Sequence, residues 1–417
     1  MLPPLKPSQS IERIVREEWG RILASLVKTL GGNFQLAEDA LQDAVIVALD
    51  KWQTDGLPRS PAAWLITTAK RKALDRLRRD SNFASKQGEI SYLLDLENEA
   101  HTKDEDHTIP DQRLEMIFTC CHPALDEKTS IALTLRTLGG LSTAEIASAF
   151  LDKPEAMAQR LVRARHKITK AGIPYQVPDT DALPERLTAV LRVLYLIFNE
   201  GYAAHSGDRV FRTDLSEEAI RLARIISTLM PKDTEIAGLL ALMLLHDARR
   251  NARTQSDGTM IPLEHQNRNR WNRSAIKEGQ AILHEAMAQK RIGPYQIQAA
   301  ISALHNESPS WEQTDWPQIE ALYTTLQAIE PSPVVQLNLA YSASHSRPLV
   351  QVLQLLDELE TQLKTYQPFH AAKADILSRA GKTSEAIRSY EKAIALATND
   401  RDAAFLRSKC DALVTRH

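Results

Sequence analysis

The spacing of apolar residues constrains this chain more than any other feature. They recur at intervals of three and four, as in Ile14, Trp19, Ile22, Leu23, Leu26 and Val27, or Leu187, Val190, Leu191, Leu194 and Ile197. That period places them on one stripe of an amphipathic helix. Strand-like alternation is hard to find and glycine is scarce, 15 among 417 residues, so the predicted fold class is all-α. A chain of this length exceeds one ordinary core and predicts two to four domains. With 43% hydrophobic and 25% charged residues it has the composition of a globular protein. No run approaches the roughly 18 uncharged apolar residues of a membrane helix, and Met1-Leu2-Pro3-Pro4 carries no basic-then-apolar secretion signal. Three cysteines, two of them adjacent (Cys120, Cys121), cannot build a disulfide framework. The expected setting is a reducing, cytoplasmic one without membrane association.

Breaks in the pattern divide the chain. Residues 10 to 80 read as three helices, interrupted at Gly31-Gly32 and at Thr54-Asp55-Gly56-Leu57-Pro58. In residues 81 to 111, Glu89, Asp95, Glu97, Glu99, Asp104, Glu105, Asp106 and Asp111 surround a single cation, Lys103, ahead of Arg113. Such a stretch buries little and reads as a flexible acidic linker. Residues 112 to 171 give about four short helices. A second break, Gly172-Ile173-Pro174 through Asp181, precedes a helical remainder, 182 to 417. There, Leu229-Met230-Pro231-Lys232-Asp233 resembles Ile329-Glu330-Pro331-Ser332, and Ala397-Thr398-Asn399-Asp400 sits similarly. These offsets are close to multiples of 33 to 34 residues, the length of a tetratricopeptide helix pair. The clearest unit carries Ala374, Gly381, Ala386, Tyr390 and Ala393; its small residues permit close helix approach and Tyr390 fills the gap. Generic helical hairpins are the plainer alternative.

The strongest local signal is Leu141 to Lys170. Ser142 with Glu145 forms a capping box that starts one short helix. Asp152, Pro154 and Glu155 start the next, with proline in the tolerated first turn. A tight turn between two such helices makes a helix-turn-helix. In the second helix Met157, Leu161, Ala164 and Ile168 face a core. Glu155, Ala156, Gln159, Arg160 and Arg163 face outward where base edges are read, and Arg165, His166, Lys167 and Lys170 are placed for phosphates. A solvated basic face is the bland reading.

A second basic stretch, Trp64 to Arg79, sets Lys70, Arg71, Lys72, Arg76, Arg78 and Arg79 against Asp75. Cations along a helix neutralise phosphates, and Trp64 at its head either stacks on an unpaired base or packs in the core. The preceding helix, with Glu38, Asp39, Gln42 and Asp43, is acidic on one side and apolar on the other. An acidic helix beside a basic one predicts two different partners, one of them a protein.

Ala37-Glu38-Asp39-Ala40-Leu41-Gln42-Asp43, followed by Ala63-Trp64-Leu65 and Ala73-Leu74-Asp75-Arg76-Leu77-Arg78-Arg79, resembles the promoter-melting domain of extracytoplasmic-function sigma factors. Glu155 to Arg165 resembles the recognition helix of their second domain. The likeness covers residues 10 to 171 in the family's order. Phe118-Thr119-Cys120-Cys121-His122-Pro123 and Leu196-Ile197-Phe198-Asn199-Glu200-Gly201-Tyr202 resemble the sigma group with a large helical-repeat extension. The resemblance implies that Glu38, Asp39, Gln42 and Asp43 dock on core RNA polymerase. It implies that the loop Thr54–Ser60 and the helix from Trp64 engage the −10 element and a flipped base, and that Gln159, Arg160 and Arg163 lie at the −35 element. It implies no cofactor and no catalysis by the chain itself. Many relatives place an aromatic or basic residue in the loop where this chain has Pro58-Arg59-Ser60-Pro61-Ala62, so no base preference follows. The fusion of a repeat domain to two DNA-binding domains suggests that the repeats contact them and regulate them.

Other readings are weaker. Adjacent Cys120-Cys121 before His122 gives poor tetrahedral geometry for a metal and reads as a buried helix end. Two polar runs, Asn199 to His205 and Asp257-Gly258 with His265 to Trp271, are candidates for contact surfaces or ligand sites. No nucleophile–base pair or phosphate loop marks an enzyme. A helix-turn-helix regulator with a repeat-type sensor, binding duplex DNA without polymerase, is the alternative from another class; it has no need of the acidic helix or the tryptophan-headed basic helix.

Overall fold

The computed structural model describes residues 7–79, 112–150, 152–203, 209–254, 261–397 and 400–414. The expected acidic linker, 81 to 111, therefore lies outside the described residues. The chain forms two compact units, Met1–Glu200 and Gly201–His417. Among the described residues there are 18 α-helices and no β-strand, and no helix is long and apolar enough to cross a membrane.

In the first unit, α1 (Pro7–Thr29), α2 (Phe34–Thr54) and α3 (Pro61–Arg79) form a three-helix group. The stripe of α1 is buried through Ile22, Leu23, Leu26 and Val27, against Phe34, Leu41 and Ala44 of α2 and Leu65, Ala69 and Ala73 of α3. The break between α1 and α2 is set by Gly31 and Gly32, both at positive φ (64° and 83°), where other residues would be strained. Asn33 then caps α2, its side chain accepting from the Leu36 amide at 3.0 Å.

The second group holds α4 (Arg113–Cys120), α5 (Glu127–Thr137), α6 (Thr143–Ala149) and α7 (Pro154–Lys170). Asp126 caps α5 by accepting from Thr129 N at 2.9 Å. Ser142 and Glu145 form the reciprocal box expected at the start of α6. The start of α7 differs from the sequence expectation. Lys153, not Asp152, occupies the cap position and makes no side-chain cap bond, while Pro154 opens the helix. Asp152 instead pairs with Arg160 at 2.9 Å, a stronger partner than an amide for a carboxylate one turn away.

These two groups pack directly on each other. Gly20 lies so near α5 that an added Cβ would stand 2.7 Å from the Leu138 carbonyl oxygen, and one on Gly140 would stand 3.0 Å from the Trp19 indole. The Tyr175 hydroxyl donates to Ala24 O at 2.9 Å, and the Arg136 guanidinium lies 5.9 Å over the Trp19 ring. The first part of α8 (Leu183–Ala203) belongs to this unit, where Arg186 donates to Phe118 O at 2.6 Å.

The second unit begins with α9 (Arg209–Leu229) and α10 (Thr234–Asp247), and continues with α11 (Arg273–Ala288) and α12 (Pro294–Glu307). Helix α10 is buried nearly all round, from Ile236 through Leu245, because α9, α11 and α12 cover it. Glu235 of α10 ties the start of α12 by accepting from Tyr295 N at 2.9 Å and Gln296 N at 3.2 Å. Then follow α13 (Trp316–Ile329), α14 (Pro333–Ala343), α15 (Leu349–Leu363), α16 (Gln367–Arg379), α17 (Thr383–Ala395) and α18 (Asp400–Val414). Helices α13, α15 and α17 start 33 and 34 residues apart. The repeated turn motif acts through capping: Asp233 caps α10 and Ser332 caps α14. Ala374, Tyr390 and Ala393 share a core with Leu406 and Cys410.

Gly20→Ala forces a methyl group into the Leu138 carbonyl and should lower the unfolding free energy by about 1–3 kcal/mol, the usual cost of overpacking. Urea denaturation measures it; a variant as stable as the parent would contradict the close approach.

Candidate nucleic-acid interface

Helix α7 presents two opposite faces. Met157, Leu161, Ala164 and Ile168 are buried, at the spacing of one helical stripe. Glu155, Gln159, Arg163 and Lys167 are exposed, and Ala156 and Arg160 half-buried. The cationic helix α3 carries exposed Arg71 and half-buried Lys70 and Lys72. Arg78 and Arg79 end this helix, and their side chains lie outside the described residues. Trp64 is half-buried and meets buried Trp52 edge-to-face at 5.3 Å, so its ring is shared between the α2–α3 seam and the surface.

Three of the expected contact residues are engaged with one another. Arg165 turns inward from α7, donating to Gln35 Oε1 at 2.7 Å and pairing with Glu38 of α2. Glu38 is 4% exposed and pairs also with Arg136 of α5. On the other side of α2, Arg76 of α3 bridges Asp39 at 2.8 Å and Asp43 at 2.9 Å. Gln42 stays exposed, its amide 3.5 Å from Glu38 Oε1. The hydrogen bond from Asp43, with both carboxylates nearby, raises the pKa of the Arg76 guanidinium. Half-exposed pairs such as Arg76–Asp39 contribute little, roughly 0–1 kcal/mol. The Arg136–Glu38–Arg165 cluster is different, since each buried charge in it depends on the others for compensation.

Arg136 and Gln35 were not signalled by sequence. Both look like solvated residues on amphipathic helices, and their partner is distant in the chain. The Cys120-Cys121-His122 run is a buried helix end. Cys120 Sγ lies 3.2 Å from Thr137 Oγ1 and Cys121 Sγ 3.6 Å from Thr134 Oγ1. Burial pushes the Cys120 thiol far above its ordinary range and Cys121 up to about 12. Such thiols stay protonated and are poor metal ligands, and no metal-holding group occurs among the described residues. Of the polar run from Asn199, the side chains beyond Gly201 lie outside the described residues, as does Asp257-Gly258.

Comparison with known proteins follows these boundaries. Residues 15–83 match the sigma-70 region 2 family and residues 115–168 the sigma-70 region 4 family. Residues 186–287 match a family of unknown function, DUF6596. An uncharacterized protein of Rhizobium meliloti is 42% identical over 383 residues, which cover 91% of this chain and 90% of that protein.

Glu38→Gln leaves Arg136 and Arg165 without their carboxylate and should cost about 3–5 kcal/mol of unit stability, as for other broken buried ion pairs. Thermal unfolding followed by circular dichroism reads this; an unchanged melting temperature would show that the cluster is not compensating buried charge.

Proposed function

Because this chain belongs to the sigma-70 family and carries its region 2 and region 4 on one polypeptide, we propose that it is an extracytoplasmic-function type sigma factor whose C-terminal helical unit modulates its activity. A sigma factor binds core RNA polymerase and brings it to promoters; it is not itself an enzyme. The observation that carries the finer assignment is the two-faced helix α7. Its buried stripe anchors it on region 4, while exposed Glu155, Gln159 and Arg163 stand on one open side. In this reading those residues, with Ala156 and Arg160, read the −35 element, and Arg165 and Lys167 contact phosphates. Helix α3 serves the −10 element through Trp64, Lys70, Arg71, Lys72, Arg76, Arg78 and Arg79. Helix α2 offers Glu38, Asp39, Gln42 and Asp43 to core polymerase.

The Glu38–Arg165 pair adds a requirement. The two promoter elements are centred about 25 base pairs apart, which at ~3.4 Å per base pair is roughly 80 Å. Helices held in hydrogen-bond contact cannot reach both, so regions 2 and 4 must part before a promoter is engaged. The 31 residues from 81 to 111 have a contour limit of about 100 Å, enough for that separation. The C-terminal unit, read as tetratricopeptide-like stacking, acts on this equilibrium by contacting the DNA-binding regions in place of a separate inhibitory protein.

In vitro transcription with core polymerase tests the assignment. Gln159→Ala and Arg163→Ala should each lower promoter-specific output about tenfold, the scale of one lost base contact. Arg71→Ala and Lys72→Ala should weaken DNA binding on all sequences and flatten its salt dependence. Unaffected output in all four would contradict the assigned faces. A chain ending at Ala203, which keeps α8, should transcribe as well as or better than the full chain; abolished transcription would rule out inhibition by the C-terminal unit.

A further inference from the structure

The second unit contains a charge imbalance that its own residues do not resolve. Arg249, just beyond the end of α10, is 7% exposed, and its Nε has no hydrogen-bond partner. No carboxylate among the described residues forms an ion pair with it. The C-terminal dipole of α10 offsets a fraction of one charge at most. Arg268, on the short turn Arg268–Arg270, lies 5.0 Å over the Trp271 ring and donates from Nε to Ser308 O at 3.0 Å. One of its buried Nη atoms remains unpartnered. Exposed Glu312 attracts Arg268 without ion-pairing to it.

Two imidazoles complete the cluster. His305 of α12 stacks on Trp311, with ring centroids 5.9 Å apart and planes 5° apart; His345, after α14, stacks on Trp316 at 3.9 Å and 12°. The two tryptophans meet edge-to-face at 4.6 Å. His305 has an unpartnered Nδ1 and His345 an unpartnered Nε2. Burial, and then Arg249 and Arg268, push His305 down to about 3. Burial, and then Arg379, push His345 down to about 4, while Glu264, which acts in the opposite sense there, is itself paired with Lys409. Both rings are therefore neutral at pH 7, each with one donor and one acceptor nitrogen.

Protein interiors satisfy nine in ten or more of their buried polar groups, and a buried guanidinium without a counter-ion is among the costliest exceptions. Here two guanidiniums and two imidazoles gather around one aromatic cluster. Water could satisfy the imidazole nitrogens, but it brings no negative charge. A cation is repelled by the arginines. An oxyanion supplies both the missing acceptors and the missing charge, in the geometry guanidinium groups favour. We propose that Arg249, Arg268, His305 and His345 form a binding site in the second unit for a small organic anion, its carboxylate or phosphate group held by the two arginines and its body lying against the Trp311–Trp316 pair.

The full-length protein is titrated with inorganic phosphate, adenosine monophosphate and benzoate, each against sodium chloride of equal ionic strength, and its melting temperature and tryptophan fluorescence are followed. At least one probe should give a saturable rise in melting temperature that chloride does not, because a ligand of the folded state stabilises it. A response to phosphate and adenosine monophosphate identifies a phosphate site, and a response to benzoate alone a carboxylate site. Arg249→Gln and Arg268→Gln should each weaken that response about tenfold or more. In chloride, Arg249→Gln should melt no lower than the parent, since it removes a buried charge that lacks a partner. If Arg249→Gln does not fold, Arg268→Gln and the parent titration decide. Absence of any saturable response in the parent overturns the proposal, as does a response retained at full strength in the arginine variants.

Discussion

A carboxylate almost wholly removed from water needs cations around it, and Glu38 obtains them from two separate segments of chain, Arg136 of α5 and Arg165 of α7. The first unit depends on this arrangement. The carboxylate sits on the helix that closes the three-helix group, and its partners sit on the helices that build the helix-turn-helix group. Around it the backbones meet with little padding. Gly20 faces the Leu138 carbonyl and Gly140 faces Trp19, where any side chain would collide. The result is a compact apposition in which a helix proposed to serve core polymerase and a helix proposed to serve DNA neutralise one another.

Whatever depends on spacing within one helix was legible in the sequence. The buried and exposed faces of α7, the capping box at Ser142 and the glycine break between α1 and α2 follow from nearest-turn chemistry, and the structure reproduces them. Asp152 was legible as a carboxylate at a helix start but not as the partner of Arg160, because two local options of similar reach competed. Glu38 and Arg165 could not be paired by inspection. They lie 127 residues apart, and each fits the polar side of its own helix. Trp64 falls between its two readings, half in the α2–α3 seam and half at the surface.

The second unit shows the same division. The recurrence of turn and cap at Asp233 and Ser332 marked helix boundaries, and the 33- and 34-residue helix spacing matches the period suggested by sequence. The polar run from His265 to Trp271 stood out by composition, and it contributes Arg268 and Trp271 to the aromatic cluster. His305, Trp311, Trp316 and His345 did not stand out, since each is unremarkable alone and only the stacking of α12, α13 and α14 gathers them. Buried cations without counter-charge are costly, and a sensing site in a regulatory unit is a place where such a cost has a use. A ligand that fills the site would stabilise one state of the second unit, which is what modulation of the first unit would require.

The parting of regions 2 and 4 is the central claim, and a distance measurement addresses it most directly. Spin labels at Ile46 on α2 and Val162 on α7, both well exposed at 66% and 58%, report the separation in the intact chain without touching the buried cluster. The free protein should give a single short distance, which should lengthen by tens of ångströms when core polymerase and promoter DNA are added. A transcribing complex that kept the short distance would contradict the account.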